Sequence, residues 1–235
     1  ARSTAQPVLL AGMYPESMER ERAVDRLESI LDRVDREPLP VPVREVWAYG
    51  DVALGLDPID RLDVYLTKDV LLASDDEAAA SFADRYGVQG VGSTVRASWA
   101  EAHPDRVRAS DNGYAAPEKC LGAELLAPAP DDDPIHLEVC NASFDDTVTQ
   151  RLRGALARDA YDEVIDPRGV CLWVDGERDT AAMERLRAGT FAMPTLPAAL
   201  EMLGVDEEAT AERIADAIAT ARAEQATTSV RGDMV

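Results

Sequence analysis

Apolar residues recur at helical spacing between Glu16 and Arg36, where Val24, Leu27, Leu31 and Val34 share one side and acids and arginines share the other. That pattern predicts an amphipathic helix. Pro38, Pro40 and Pro42 end it, because proline brings no backbone donor, and Val43 to Tyr49 then reads as a buried strand. After the Gly50 to Asp60 connection, Leu62 to Leu66 alternates with period two. Leu62, Val64 and Leu66 face the core, and Arg61, Asp63 and Tyr65 lie together on the opposite face. Ser74-Asp75-Asp76-Glu77 has the form of a capping box for an Ala-rich helix to Tyr86, which Gly87, Gly90 and Gly92 break. A helix over Thr94 to His103, a less regular stretch and a short helix after Pro117 follow. Pro128 to Pro134, with consecutive aspartates, reads as an exposed loop.

Ile135 to Val139 is a second alternating strand, with Ile135, Leu137 and Val139 inward and His136 and Glu138 on the other side. A helix over Asp145 to Asp159 and an apolar strand from Gly169 to Val174 come next, then helices at Thr180 to Ala188, Pro197 to Leu203 and Glu207 to Glu224. The last helix carries an apolar face of Ala209, Ile214, Ala217, Ile218 and Ala221, which packs on the domain or on a second copy. A homodimer through the C-terminal helices is therefore a candidate assembly. Strands alternating with helices predict a mixed α/β fold, a mixed sheet flanked by helices with a helical C-terminal part. The expected division is a loose tail over 1–15, an α/β domain over 16–175, a helical region over 176–228 and a flexible tail over 229–235.

Charge changes the picture of the solvent. The 235 residues hold 45 acids against 24 bases, a net charge of -21, and Lys68 and Lys119 are the only lysines. Self-repulsion of this size destabilises a compact chain unless salt screens it, and at about 1 M salt the screening length falls to about 3 Å. The acids are spread along the whole chain and form no tail for a basic partner. Dense carboxylates, few lysines, abundant Ala and Val and 5% aromatics resemble proteins of haloarchaea, and the whole chain resembles a haloarchaeal protein family of unknown function. That resemblance implies a halophilic, archaeal setting and supplies no mechanism; a cytoplasmic place is expected from the start, Ala1 to Glu16, which lacks the basic and apolar blocks of a signal peptide, and from the lack of an apolar run of membrane-span length.

Several chemistries are disfavoured. Cys120, Cys140 and Cys171 are widely spaced and form no C-x-x-C pair, so they read as small buried hydrophobes. No apolar run reaches the roughly 18 residues of a membrane span, and no basic patch with interleaved aromatics advertises nucleic acid. Arg151 and Arg153, or Arg106, Arg108 and Lys119, make at most a small one; Trp47, Trp99 and Trp173 lie in apolar contexts and read as core. Phosphate-binding and dinucleotide glycine motifs are missing, and His103 and His136, the only histidines, do not suggest a histidine-based site.

The run from Val43 to Gly55, followed by Asp60-Arg61-Leu62-Asp63-Val64-Tyr65-Leu66, resembles the minimal nucleotidyltransferase fold. Members of that superfamily carry a helix, a strand ending in Gly-Ser, a short helix and, about ten residues on, a strand with an Asp-x-Asp pair. Ile135 to Val139, the helix after Asp145 and Gly169 to Val174 resemble the later strand, helix and strand, in which the first supplies a third carboxylate at the place of Glu138. The resemblance implies Mg²⁺ as cofactor and a nucleotide as partner, since closely set carboxylates hold Mg²⁺ against a triphosphate. Two positions depart from the pattern. Arg61 replaces the first Asp of the pair, putting a cation where a metal would sit, and Asp51 replaces the Ser, putting a negative charge where phosphate would bind.

Asp63 and Glu138 are thus the candidate catalytic and metal-binding residues, and Gly50, Asp51, Arg61, Asp63 and Glu138 the candidate ligand-binding set. The favoured expectation is a pseudoenzyme, a non-catalytic binding or regulatory protein. Its rivals are an active Mg²⁺-dependent nucleotidyltransferase recruiting Asp51 or Asp60, and a structural or dimerisation protein. A plainer alternative makes Arg61, Asp63 and Tyr65 a solvent-facing strand surface on which Arg61 pairs with an acid.

Overall fold

A computed structural model of the chain describes residues 17–36, 38–72, 75–127, 133–224 and 227–232. Strands β1 (Val43–Tyr49), β2 (Leu62–Lys68), β3 (Ile135–Cys140), β4 (Gly169–Val174), β5 (Glu177–Arg178) and β6 (Ser229–Gly232) form one mixed sheet in the order β5-β4-β1-β2-β3-β6. Antiparallel pairing joins β1 to β2 and β4, and parallel pairing joins β3 to β2 and β6. Around the sheet, the described residues form eight α-helices: α1 (Arg20–Val34), α2 (Asp76–Tyr86), α3 (Ala97–Ala102), α4 (Pro117–Leu125), α5 (Phe144–Arg158), α6 (Thr180–Ala188), α7 (Leu196–Met202) and α8 (Glu208–Ala223). None of them is long and apolar enough to cross a membrane. The expected mixed α/β class is what the chain adopts.

Two layers of helices explain the strand patterns. On one face, Val46, Ala48, Leu62, Val64, Leu66, Leu137 and Leu172 pack with residues of α1, α4 and α6 in the main core. On the other, Tyr49, Tyr65 and Cys140 meet Phe144 and Val148 of α5, and Leu152 of α5 joins Leu200, Ile214 and Ile218 from α7 and α8 in an adjoining cluster. Consequently every residue of β2 and of β3 is buried. The solvent-facing alternative for Arg61, Asp63 and Tyr65 is therefore corrected: the period-two pattern places them on the second face, and helices cover that face.

Helix starts follow local chemistry. Asp75 caps α2 by accepting the Ala78 N–H at 3.0 Å, while Ser74 of the expected box lies outside the described residues; Gly87 at φ +68° ends the helix. Ser143 caps α5 by accepting the Asp146 N–H at 3.2 Å, so this helix begins at Phe144, just before the expected Asp145. Between β2 and β3, helices α2 and α3 gather Phe82, Val91, Val95 and Trp99 into a satellite cluster that also holds Cys120. Burial pushes the Cys120 thiol up to about 11, as fits a small hydrophobe. The expected helix from Thr94 shortens to α3 because Thr94 is held in a turn, its N–H and hydroxyl both donating to the Gly90 carbonyl.

Three further expectations change. The polar tail from residue 229 is in part strand β6: Val230 packs against the main core, in space that Gly122 leaves open, since a Cβ there would lie 2.7 Å from a Val230 methyl. Residues 233–235 and 1–16 lie outside the described residues. The 175/176 boundary does not separate two cores, because Ala182, Met183 and Leu186 of α6 belong to the same core as α1 and β1. In the aspartate loop, 128–132 are outside the described residues, and Asp133 is buried, ion-paired to Arg22 and, at 3.3 Å, to Arg26.

Candidate functional site

Parallel pairing of β2 and β3 sets Asp63 opposite His136 and Tyr65 opposite Glu138, so both candidate acids project from neighbouring strands on the second face. Each is only 1% exposed. A buried carboxylate without partners is strongly unfavourable. Here every oxygen has one. On Asp63, Arg61 donates to Oδ1 at 2.7 Å and Arg222 of α8 donates to Oδ2 at 3.0 Å. On Glu138, Arg151 of α5 bonds Oε1, His136 Nε2 lies 3.0 Å from Oε2, and Arg231 of β6 stands 4.0 Å from Oε1.

The Gly50 turn joins the same network. Gly50 closes β1 at φ +68°, and a Cβ there would lie 2.7 Å from Asp63 Oδ2 and 2.9 Å from an Arg222 nitrogen, so the turn needs glycine both for its backbone and for space. Asp51 pairs through Oδ1 with Arg222 at 2.8 Å and accepts the Asp60 N–H at 3.1 Å through Oδ2. Arg222 therefore bridges two acids that the sequence separates by a strand's approach. Asp60 contributes its backbone only; its side chain is exposed, which corrects its place among the substitute metal ligands.

The cavity between these groups measures ≈ 80 Å³, and Tyr49, Asp162, Glu163, Ile165 and Asp166 are among the other residues of its wall. Asp166 is clamped by Arg168 at 2.9 and 2.7 Å. Usual small-molecule pockets span about 300–1,000 Å³, so this space suits a few waters at most. Among the described residues, no group of three or more His, Cys, Asp or Glu is arranged to hold a metal ion. The five residues expected at the site do come together, as a saturated ion network and not as an open carboxylate set.

Titration follows from this packing. Burial raises the Asp63 carboxyl above its ordinary value, and the charges of Arg222 and Arg61 bring it only part of the way back. For Glu138 burial also pushes upward, but the His136 and Arg151 hydrogen bonds and charges prevail and hold it below the ordinary value. Burial, then the charges of Asp63 and Glu138, push the Tyr49 phenol well up, so it stays neutral. Burial lowers Arg222, yet Asp63, Asp51 and Asp166 more than compensate, and it stays charged.

The signs of the two acids differ. A depressed Glu138 contributes stability that is complete above the unfolded glutamate value, about 4.3, and is lost as pH falls through the folded value. A raised Asp63 does the reverse: its contribution is complete below the unfolded value and shrinks as pH rises through the folded one. Urea unfolding between about pH 6 and pH 3 is expected to show wild type losing stability more steeply than Glu138→Gln below about pH 4.3. Equal slopes would mean that Glu138 is not held ionised by its partners.

Sequence reasoning missed Arg222, Arg231 and Tyr49, passed over His136, and read Arg151 as one of two arginines of a small basic patch. A signal existed for two of them. Arg222 continues the buried stripe Ala211, Ile214, Ile218 of α8 at helical spacing, and Arg151 falls one turn after Thr147 and Val148 on the buried side of α5. An arginine in register with an apolar stripe calls for a buried anion. The apolar face of α8 is used within the chain, against Leu152, Leu200 and Val205.

Over residues 19–235 the chain matches a family described as "Family of unknown function (DUF7095)". No curated protein and no solved structure matches it.

Proposed function

We propose that this chain, which belongs to the DUF7095 family, is a non-catalytic, nucleotidyltransferase-like binding or regulatory protein of a salt-adapted, haloarchaeal cytoplasm. The order of elements supports the likeness: helix α1, strand β1 running into the Gly50 turn, strand β2 with Asp63, then β3 parallel beside it with Glu138, followed by α5 and β4. The observation that carries the non-catalytic reading is that all four oxygens of Asp63 and Glu138 are held by guanidinium or imidazole groups. Cations of the chain itself stand where a metal would have to bind. A fold alone assigns no activity, so the reading rests on this site and not on the architecture.

Pyrophosphate release from ATP, CTP or GTP with Mg²⁺ in concentrated KCl is expected to stay at the blank level. Nucleotide-dependent release that Asp63→Ala abolishes would establish the catalytic rival instead. Calorimetry with the same nucleotides, using Asp63→Ala as control, separates binding from turnover; absence of any nucleotide binding would turn the weight to a structural role.

The salt-adapted part has its own test. Screening of a net charge of -21 is expected to raise the thermal midpoint by at least about 5 °C between about 0.1 M and 2 M KCl, the shift that roughly 2 kcal/mol produces in a chain of this size. Circular dichroism melts measure it, and a midpoint independent of KCl would refute it.

A further inference from the structure

We propose that the open edge of β4 pairs with an extended peptide segment that carries an acidic side chain two residues from an apolar one. β5 covers only Trp173 and Val174, and the Asp179 N–H takes the Leu172 carbonyl at 2.9 Å, which leaves Gly169 to Cys171 without a strand on their outer side among the described residues. A groove of ≈ 320 Å³ follows this stretch, walled by Arg185 of α6, Phe191 and Met193. That volume is within the usual range of ligand pockets, about 300–1,000 Å³. None of the residues lining it belongs to the network around Asp63 and Glu138, so the inference stands independently of the reading of that site.

The ladder fixes which backbone groups face the groove. The Gly50 N–H donates to the Arg168 carbonyl at 3.4 Å, and the antiparallel register continues with Tyr49 opposite Gly169, Ala48 opposite Val170 and Trp47 opposite Cys171. Bonded and non-bonded pairs alternate along such a ladder. Val170 therefore turns its N–H and C=O to β1, whereas Gly169 and Cys171 turn theirs outward, where no backbone group of the described residues bonds them. An added peptide strand supplies the missing partners, and main-chain bonds of this kind carry the affinity of strand addition.

The side chains set the chemistry of the peptide. Phe191 and Met193 are half-buried against the main core and give the groove an apolar wall. The Arg185 guanidinium lies over the Phe191 ring, 4.1 Å from its centroid, and has no acid partner among the described residues. Arg187, by contrast, pairs with Asp25 and Glu28, both at 3.0 Å. The acid of the groove itself, Asp179, is committed to the first turn of α6, where it accepts the Ala182 N–H at 2.8 Å. Side chains two residues apart on a strand point to the same side. An apolar residue and an acid at that spacing meet the Phe191 ring and the guanidinium stacked on it, whose donors stay open at the rim while its face stays on the ring.

Fluorescence anisotropy of the full chain with the fluorescein-labelled amide of Thr-Val-Thr-Glu-Thr-Val-Thr tests this, in about 1 M KCl to screen diffuse repulsion by the acidic chain. Saturable binding is expected. Arg185→Gln, at an exposed side chain, is expected to weaken it about threefold, as loss of an exposed ion pair does, and to leave unchanged the affinity for the same peptide with Gln in place of Glu. Bound peptide is also expected to slow alkylation of the half-buried Cys171 by iodoacetamide, read by mass spectrometry against the buried Cys120 and Cys140. About pH 9 suits this reaction, because burial raises the Cys171 thiol. Absence of saturable binding overturns the proposal, as does an Arg185→Gln variant with an unchanged circular dichroism spectrum that prefers the Glu peptide as wild type does. Slower alkylation at higher protein concentration without peptide would put a second copy on the edge and overturn the peptide assignment, and so would a Cys171 that iodoacetamide does not reach in the free chain.

Discussion

Arg151→Ala is expected to destabilise the protein by about 3–5 kcal/mol, the usual result of removing one partner from a buried ion pair. Glu138 is 1% exposed, and the carboxylate remains in place after the substitution. It then keeps His136 on Oε2, but Oε1 is left with the Cys140 thiol, a weak donor at 3.9 Å, and the Arg231 guanidinium at 4.0 Å. Desolvation is no longer offset. The diagnostic comparison is Glu138→Gln placed on the Arg151→Ala background: neutralising the stranded acid is expected to restore part of the loss. Urea unfolding of the two single variants and the double gives the coupling directly. A loss below about 1 kcal/mol for Arg151→Ala, a surface-like value, would show that water reaches Glu138 and that the network is not closed.

Arg222→Ala is the second large effect, expected at about 3 kcal/mol, because one guanidinium serves two buried acids. Asp63 keeps Arg61 on Oδ1 but loses the bond to Oδ2, and Asp51 loses its ion pair while retaining the Asp60 N–H. Arg222→Met separates charge from packing, since it keeps an apolar stem of similar reach on the end of α8. If charge dominates, Met and Ala lose similar amounts, and Asp63→Asn recovers part of the deficit in either. If packing dominates, Met alone is close to wild type and the assigned role of Arg222 fails. Hydrogen exchange across α8 is expected to accelerate in Arg222→Ala, since the ion pairs to Asp51 and Asp63 tie its last turns to the sheet.

Both effects depend on residues far apart in the chain, which is why they were invisible in the motif itself. Arg61 and Asp63 share a strand face by simple alternation, and Glu138 shares a face with His136 for the same reason. Nothing in a two-residue period says whether that face meets water or helices. Burial was decided by α5, α7 and α8 folding over it. Strand β6 was missed because four residues carry too little alternation to register, and its place is set by Val230 finding the space above Gly122.

By itself, the sequence determined the elements whose periodic patterns are long: α1, the three central strands β1 to β3, α5 and α8, with the alternation that divides each strand between two faces, and the acidic composition of the chain. It also singled out Arg61 as the cation beside the acid at the candidate site. The tertiary structure alone decided that this site is closed, that Arg222, Arg151 and His136 complete it, and that the second face of the sheet lies under helices. The reason is physical: periodicity is a property of neighbours along the chain, whereas the stability of a buried carboxylate depends on which cations distant segments bring to it.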